Sequence, residues 1–384
     1  MMAHWIFQDE HHMFRKAVRK FIEKEIIPNV EKWEREEEVP RSLYERMGEL
    51  GYLGIKFPEI YGGSDSDIIT EAVLIEEMAK CGSGGVAAAI GAHTGIAMTN
   101  IWKYGSEEQK QNYLVPGIKG EKISALAITE PSGGSDVSAI KTTAKKSGSH
   151  YILNGSKTFI TNGVHADYVI VAAKTREEPV HRNISLFIVE SDWEGFSAGK
   201  KLKKLGWHAS DTGELFFDEV KVPEENLIGR EHEGFLYIME NFQFERLSMA
   251  LGCVGLGELA LETAKKYSQE RIQFNRPLSK FQVLRHKMVD MAVDLEKARN
   301  ITYRALYLYN KGEDVVTEAT MAKVYATEMI RRVTDQALQI HGGNGYMMEY
   351  DVQRFWRDAR IQSIGGGTTQ IMNEILTKRL GIIS

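Results

Sequence analysis

Glu245 is the residue of this sequence best suited to proton transfer, because it stands alone in an apolar stripe. Between residues 235 and 259, the spacing of three and four residues is that of one face of an α-helix, and the face comprises Phe235, Ile238, Phe242, Met249, Gly252, Leu256 and Leu259. A carboxylate there is disfavoured unless something compensates for its burial. Arg246 could pair with it, or burial could raise its pKa and make it a general base. The stripe alone leaves both interpretations open.

Two glycine-bearing loops could hold a ligand. The segment 129–136 (TEPSGGSD) follows a predicted strand, and Gly133 and Gly134 would let backbone amides approach a bound group. The segment 365–370 (GGGTTQ) precedes the last helix, and a helix start behind glycines suits an anion or a pyrophosphate. No lysine follows these glycines and no βαβ unit surrounds them, so neither standard nucleotide fingerprint is present. Each loop could equally be a tight turn or a capped helix start.

Composition and charge argue against several other classes of protein. The net charge of −5 and the lack of a long basic block argue against nucleic acid as a partner. The eleven histidines show no metal-binding spacing, so no metal site is predicted. Cys81 and Cys253 form no disulfide pattern and are expected in the core. No signal peptide is evident, and the most apolar run, 86–98, is too short to span a bilayer, so we expect a cytoplasmic, soluble protein.

Hydrophobic patterning predicts a mainly α fold with a central β domain, divided into residues 1–122, 123–231 and 232–384. The first part has the pattern of amphipathic helices. The middle part has short β-branched and aromatic runs, which predict an antiparallel β-barrel or sandwich, with a hairpin turn at Asn154-Gly155. The last part has helical periodicity over about 235–271, 281–311 and 317–341, which predicts a four-helix bundle. Within it, Gly252 is expected to let a neighbouring element approach closely.

An ordered set of short motifs resembles that of the acyl-CoA dehydrogenase family. Each motif is weak alone, whereas the set is specific and covers nearly the whole chain. The motifs are the segments 127–136 (AITEPSGGSD), 154–163 (NGSKTFITNG), 210–212 (SDT), 216–223 (FFDEVKVP), 270–274 (ERIQF), 339–346 (QIHGGNGY) and 367–370 (GTTQ). The architecture of that family, a helical domain, an antiparallel β-barrel domain and a four-helix bundle, agrees with the patterning.

The resemblance implies a non-covalently bound FAD between the β domain and the C-terminal bundle. Residues that match the flavin-contacting loop and strand of the family are Leu126, Ile128, Thr129, Gly134, Ser135, Phe159 and Thr161. Residues that match contacts made across a subunit interface are Arg271, Phe274, Gln282, Gln339 and Gly343, and those near the adenosine part are Thr368 and Gln370. This set implies a homo-oligomer, at least a dimer and typically a tetramer built as a dimer of dimers.

The resemblance also implies dehydrogenation of an acyl-CoA thioester to the trans-2-enoyl-CoA. A carboxylate removes the α proton while the β hydride passes to flavin N5. Most members carry this carboxylate on a Glu directly before the Gly-Thr of the last loop, where this chain has Gly365 and Gly366. A minority, including the long-chain and isovaleryl types, carry it on the bundle helix before an Arg, which matches Glu245-Arg246. The pattern is closest to that minority, with the citronellyl-CoA type second, so Glu245 is the predicted base.

In the family, the thioester carbonyl accepts hydrogen bonds from the flavin ribityl chain and from the backbone amide at the base position of the last loop. The residues expected at the substrate are Ser135, Phe242, Arg246 and Gly366. The resemblance implies a medium- to long-chain or branched acyl-CoA and electron-transferring flavoprotein as the electron acceptor. Two alternatives are a flavin oxidase or monooxygenase of the same fold, which would react with oxygen, and a non-catalytic helical scaffold.

Overall fold

The computed structural model describes residues 4–383, and the first third of the chain is helical, as predicted. The helices are α1 (Asp9–Phe21), α2 (Val30–Glu36), α3 (Arg41–Glu49), α4 (Ile68–Ala79), α5 (Gly84–Gly91), α6 (Met98–Tyr104), α7 (Glu107–Gln109) and α8 (Val115–Ile118). A wider π-type turn at residues 92–97 joins α5 to α6. Ser106 and Gln109 form a capping box at the start of α7.

The middle of the chain forms one eight-stranded sheet in the order β6-β7-β3-β2-β4-β5-β8, with β1 beside β4. Most neighbours are antiparallel, as predicted, but β1 and β2 each pair with β4 in parallel. β1 enters the sheet from the helical part of the chain, so no hairpin turn sets its direction. The strands are β1 (Ser124–Ala127), β2 (Thr143–Ser147), β3 (His150–Thr161), β4 (Tyr168–Lys174), β5 (Ile184–Glu190), β6 (Phe196–Ala198), β7 (Thr212–Pro223) and β8 (Leu227–Ile228).

The hairpin predicted at Asn154-Gly155 is wrong, because β3 continues through both residues and stays paired with β7. The Asn154 side chain accepts a hydrogen bond from the Glu219 N–H and donates one to the Glu219 carboxylate, so its amide is satisfied within the sheet. A Cβ on Gly155 would lie 2.5 Å from the Thr142 Oγ1 atom, so glycine permits a close approach between chain segments. The actual turn lies at Gly148, where φ is +63°.

The last third is a bundle of long helices, as predicted. Its elements are α9 (Gly234–Glu270), the small hairpin β9 (Ile272–Gln273) and β10 (Arg276–Pro277), α10 (Gln282–Asn310), α11 (Val316–His341), α12 (Val352–Ala359) and α13 (Thr369–Arg379). The face of α9 that is fully buried carries Leu247, Leu251 and Val254, whereas the stripe with Glu245 is only half-buried along much of its length. That stripe therefore borders a less tightly packed space.

The close approach expected at Gly252 is wrong, since in the described part of the chain no neighbouring element lies within 4 Å of a Cβ built there. The tight contact occurs three residues later, where a Cβ on Gly255 would lie 2.3 Å from the Glu76 carbonyl oxygen of α4. By length and composition α9 could cross a membrane, with a mean hydropathy of 1.3 in its most apolar window. However, 56% of that window is buried, and α9 packs against α4, α10 and α11. These contacts are those of a core helix.

Candidate active site

Glu245 lies on the half-buried side of α9 and faces the last glycine-bearing loop. A Cβ built on Gly366 would lie 3.2 Å from the Glu245 Oε1 atom, so the carboxylate borders the space that a side chain at 366 would need. Burial raises the pKa of the Glu245 carboxyl, and the nearby charges of Lys323 and Arg246 oppose that rise. Neither cation forms a direct ion pair with it within the described residues. An unpaired acid with a raised pKa suits a general base better than a structural ion pair.

Arg246 and Phe242 flank Glu245 on the same helix. Arg246 is buried, and its guanidinium carbon lies 5.8 Å from the centre of the Phe242 ring. Burial lowers the pKa of Arg246, and its Nε–H has no hydrogen-bond partner within residues 4–383. A buried donor without a protein partner can donate to an oxygen atom of a bound ligand. The structure thus brings two of the predicted substrate residues to the predicted base.

The loop 129–136 is anchored to β3 by a buried lysine that sequence analysis did not single out. The Lys157 Nζ atom donates to the Ile128 carbonyl oxygen at 3.0 Å and to the Glu130 carboxylate at 2.8 Å. The Thr158 N–H donates to the Thr129 carbonyl oxygen at 2.9 Å. Burial opposes ionisation of Glu130, but the Lys157 charge and its hydrogen bonds hold the pKa of Glu130 below its usual value. The beginning of the loop is therefore held in one position.

A bulge in β3 turns Phe159 out of the sheet. The pairing with β7 shifts between Lys157 and Ile160, and Phe159 adopts a φ of +59°. Its ring is 67% exposed, whereas both of its neighbours in sequence are buried. An exposed aromatic ring on a strained bulge offers a face on which a planar group can stack. The bulge is therefore a suitable place for an isoalloxazine ring.

The other predicted flavin contacts of this loop and strand differ in accessibility. Leu126 is half-buried and Ile128 is buried, so Ile128 offers little side-chain surface to a cofactor. The accessible members are Thr129, Gly134, Ser135 and Thr161. A Cβ on Gly134 would lie 3.3 Å from the Thr129 side chain, so glycine keeps this part of the loop open. Hydroxyl groups and free backbone at this position fit the polar edge of a flavin.

The predicted interface contacts to FAD lie at the opposite end of α9 from Glu245. Arg271 is about seven helical turns, or about 39 Å, beyond Glu245, so both cannot serve one site in one chain. The Asn344 side chain donates to the Tyr267 hydroxyl at 2.9 Å, which ties the turn after α11 to the end of α9. The predicted contacts around this end are all exposed, namely Arg271, Phe274, Gln282, Gln339 and Gly343. Phe274 is 86% exposed. Their exposure suits contacts with a second copy of the chain.

The last loop is formed by glycine backbone and is followed by a capped helix. Gly366 and Gly367 adopt φ of +59° and +94°, which favour glycine. The Thr368 hydroxyl accepts a hydrogen bond from the Ile371 N–H and caps α13, while Gln370 is exposed on its first turn. Lys323 of α11, which sequence analysis missed, donates to the carbonyl oxygens of Gly365 and Gly367. No sequence signal distinguishes this lysine from one on a solvated helix face.

Three glycines, one on α9 and two at or after the end of α5, have open space beside them. Among residues 4–383, no atom outside the adjacent backbone lies within 4 Å of a Cβ built on Gly91, Gly95 or Gly252. Gly91 ends α5 and Gly95 lies in the π-type turn that follows it, and that turn contacts α9. Glycines with free space on both helices are suited to line a channel that holds an extended apolar chain.

Comparison with known proteins identifies the family to which a chain with these features belongs. Family models match the acyl-CoA dehydrogenase N-terminal domain over residues 8–121, the middle domain over 125–220 and the C-terminal domain over 232–381. The chain belongs to the acyl-CoA dehydrogenase family, and it is an FAD-dependent oxidoreductase with the three-part architecture of that family.

Similar proteins include members with different chain-length names. The chain is 42% identical to an acyl-CoA dehydrogenase of Bacillus subtilis, over 96% of this chain and 97% of the relative. It is 40% identical to the rat long-chain specific enzyme (98% of this chain, 87% of the relative). It is 41% identical to the short-chain specific enzyme of Clostridium acetobutylicum (97% and 98%). Overall identity therefore does not separate the two substrate classes.

Solved structures confirm the fold over the full chain. The acyl-CoA dehydrogenase from Geobacillus kaustophilus superposes with a TM-score of 0.95 at 43% identity, covering 99% of this chain and 100% of that one. A chain reported with the electron transferring flavoprotein of Acidaminococcus fermentans gives a TM-score of 0.95 at 41% identity, covering 99% and 100%. The Bacillus anthracis acyl-CoA dehydrogenase complexed with FAD gives 0.92 at 35% identity, covering 97% of this chain and 67% of that one.

Proposed function

We propose that this protein dehydrogenates a medium- to long-chain or branched acyl-CoA at the α,β position, with Glu245 as the base. The observation that carries the proposal is the half-buried Glu245 carboxylate beside Gly366, which has no ion-pair partner among residues 4–383. The last loop has glycine at the two positions where most family members carry an aromatic residue and the catalytic Glu. Glu245 supplies the carboxylate that this loop lacks.

Proton removal requires a base that is basic enough near neutral pH and a stabilised carbonyl. Burial raises the pKa of Glu245 and therefore strengthens it as a base. The α proton of a thioester is only weakly acidic, so donors must stabilise the carbonyl oxygen as negative charge develops on it. The Gly366 N–H, in the loop beside Glu245, and the buried Arg246 Nε–H are donors of this chain that could do so. FAD, when bound, accepts the hydride that leaves Cβ.

The acyl chain is proposed to extend from Glu245 towards Gly91 and Gly95. The free space at these glycines and at Gly252 supports a chain longer than butyryl or one that carries a branch. Anaerobic titration with straight acyl-CoA thioesters of increasing length, and with isovaleryl-CoA and citronellyl-CoA, would rank the substrates. A sharp preference for butyryl-CoA would contradict this part of the proposal.

The test of the base is Glu245→Gln, which removes the charge with little change in size. We expect a yellow, FAD-bound protein whose flavin is not bleached by any acyl-CoA under anaerobic conditions. Glu262→Gln is the matched control, because Glu262 lies exposed on the same helix. Bleaching at the wild-type rate in Glu245→Gln would show that the base lies elsewhere.

Electron-transferring flavoprotein is the proposed acceptor, and a cytoplasmic location is proposed with it. The structural similarity to a chain reported with such a flavoprotein supports this acceptor. Turnover with purified electron-transferring flavoprotein should exceed peroxide formation in air, whereas the reverse would identify an oxidase. A colourless protein that takes up no FAD would identify a non-catalytic scaffold.

A further inference from the structure

Lys323 is a buried lysine whose charge is satisfied by the last loop. Its side chain is 1% exposed and belongs to α11, in the middle of the bundle. The Nζ atom donates to the Gly365 carbonyl oxygen at 2.5 Å and also to that of Gly367. No carboxylate forms an ion pair with it within residues 4–383. A buried cation without such a partner is costly, so the two carbonyl groups must supply its solvation.

This contact orients the peptide group between Gly365 and Gly366. In a trans peptide, the C=O of one residue and the N–H of the next point in opposite directions. Because Lys323 holds the Gly365 carbonyl, the Gly366 N–H points away from Lys323. Within the described residues this N–H donates to no protein acceptor. Three successive glycines have no side chain to keep that orientation, so Lys323 is the contact that does.

Lys323 and Glu245 also face the same small space. A Cβ built on Gly366 would lie 3.5 Å from the Lys323 Nζ atom and 3.2 Å from the Glu245 Oε1 atom. A cation bound to a peptide carbonyl polarises that peptide and strengthens its N–H as a donor. The same charge favours the carboxylate form of Glu245. One ammonium group thus acts on both the donor and the base.

We propose that Lys323 is a positioning residue that directs the Gly366 N–H towards the thioester carbonyl and keeps Glu245 ionised. This inference rests on the dehydrogenation proposed above. It assigns to Lys323 a role in the chemical step beyond anchoring the loop. The titratable or charged groups that face Lys323 are Glu245, Arg246 and Cys253, all on α9.

The first test is Lys323→Met, which keeps the length of the side chain but removes its charge and donors. We expect the variant to bind FAD and acyl-CoA, while the limiting rate of flavin bleaching falls on the order of tenfold or more. The acidic limb of the pH profile should move to higher pH, because Glu245 loses a neighbouring positive charge. Lys297→Met, at an exposed lysine of α10, is the control. An unchanged rate and pH profile in Lys323→Met would overturn the proposal.

The second test uses the wild-type protein and needs no folded variant. Burial lowers the pKa of Lys323 to about 8, whereas burial raises the pKa of Cys253 to about 12. The bleaching rate at saturating acyl-CoA should therefore decline as the pH rises through about 8. A rate that stays constant from pH 7 to pH 9.5, about 1.5 pH units above the titration of Lys323, would refute the proposed effect of the Lys323 charge. A wild-type protein that acyl-CoA does not bleach at any pH would instead refute the proposed function.

Discussion

Lys157 and Glu130 form a fully enclosed ion pair, with 2.8 Å between Nζ and Oε1 and both side chains at most 4% exposed. The pair joins the middle of β3 to the loop that follows β1. Because it is shielded from solvent, loss of one partner would leave the other charge buried and uncompensated. Removal of one partner should therefore disturb the loop more than removal of one partner of a surface pair would.

Lys157→Met is expected to destabilise the protein and weaken FAD binding. Breaking a buried pair costs about 3–5 kcal/mol, and release of the loop displaces Thr129 and its neighbours. The measurements are the free energy of unfolding in urea and the FAD dissociation constant. Lys145→Met, at an exposed position of β2, is the control. If Lys157→Met is destabilised but binds FAD with wild-type affinity, FAD binding does not depend on the anchoring of this loop.

His93 should make the protein less stable in acid. It is fully buried; its Nδ1 lies 2.7 Å from the Ser124 hydroxyl and its Nε2 lies 3.0 Å from the Gly117 carbonyl oxygen. Burial lowers the pKa of His93 to about 4, from an ordinary value of 6.5. The unfolded chain therefore binds a proton that the folded chain does not, and stability falls as the pH drops below 6.5. At pH 5 the loss is about 2 kcal/mol.

The measurement for His93 is the free energy of unfolding between pH 7 and pH 5. His93→Gln should be less stable than the wild type at pH 7 but should lose less stability on acidification. The difference in the pH dependence of the free energy of unfolding between the two proteins reports the proton that His93 binds, because other titrating groups act equally in both. Equal slopes would indicate that His93 has no lowered pKa.

Gly366→Ala should remove activity by closing the space between the loop and Glu245. A Cβ there would lie 2.6 Å from the Met249 Sδ atom, and a φ of +59° is strained for alanine. Gly312→Ala is a matched control, because Gly312 has a φ of +76° but open space around it. Both variants should lose about 1–2 kcal/mol from backbone strain, and only Gly366→Ala should lose flavin bleaching. Full activity in Gly366→Ala would show that the loop can move aside.

Because Arg271 lies far from Glu245 within one chain, we expect two defective variants to complement each other in a mixed dimer. Glu245→Gln removes the base, and Arg271→Ala should weaken FAD binding at a site completed by the partner subunit. In a mixed dimer, one of the two sites receives both intact residues. Equal co-expression should therefore recover about a quarter of wild-type activity. Activity no higher than the mean of the two single variants would indicate that each chain completes its own site.

The sequence predicts the helices of the bundle well because their patterning is long and regular. The predicted limits of α9, 235–271, differ by one residue from the observed Gly234–Glu270. The prediction of a hairpin at Asn154-Gly155 is wrong because a local turn signal contains no information about β7, which pairs with β3 on both sides of this segment. The parallel pairing of β1 with β4 is missed for the same reason, since it depends on contacts distant in the chain.

The candidate site is only partly visible in the sequence. Glu245 is detectable because a charge interrupts an apolar stripe, and the glycines at 365 and 366 strengthen the argument. Lys157 and Lys323 are not detectable, because each is one of many lysines and its burial depends on a carbonyl or carboxylate elsewhere. Their partners, Glu130 and the 365–367 backbone, are brought to them only by the tertiary fold.

The proposed position of the base on α9 also affects how this protein can diverge. The position of Glu245 is set by a 37-residue helix packed in the core, whereas the loop at 365–367 carries no side chain. Substitutions elsewhere around the acyl chain can therefore accumulate without displacing the proposed base, provided that the backbone of the 365–367 loop keeps its position. Proteins with this arrangement can therefore change their specificity for the acyl group and still catalyse the same reaction.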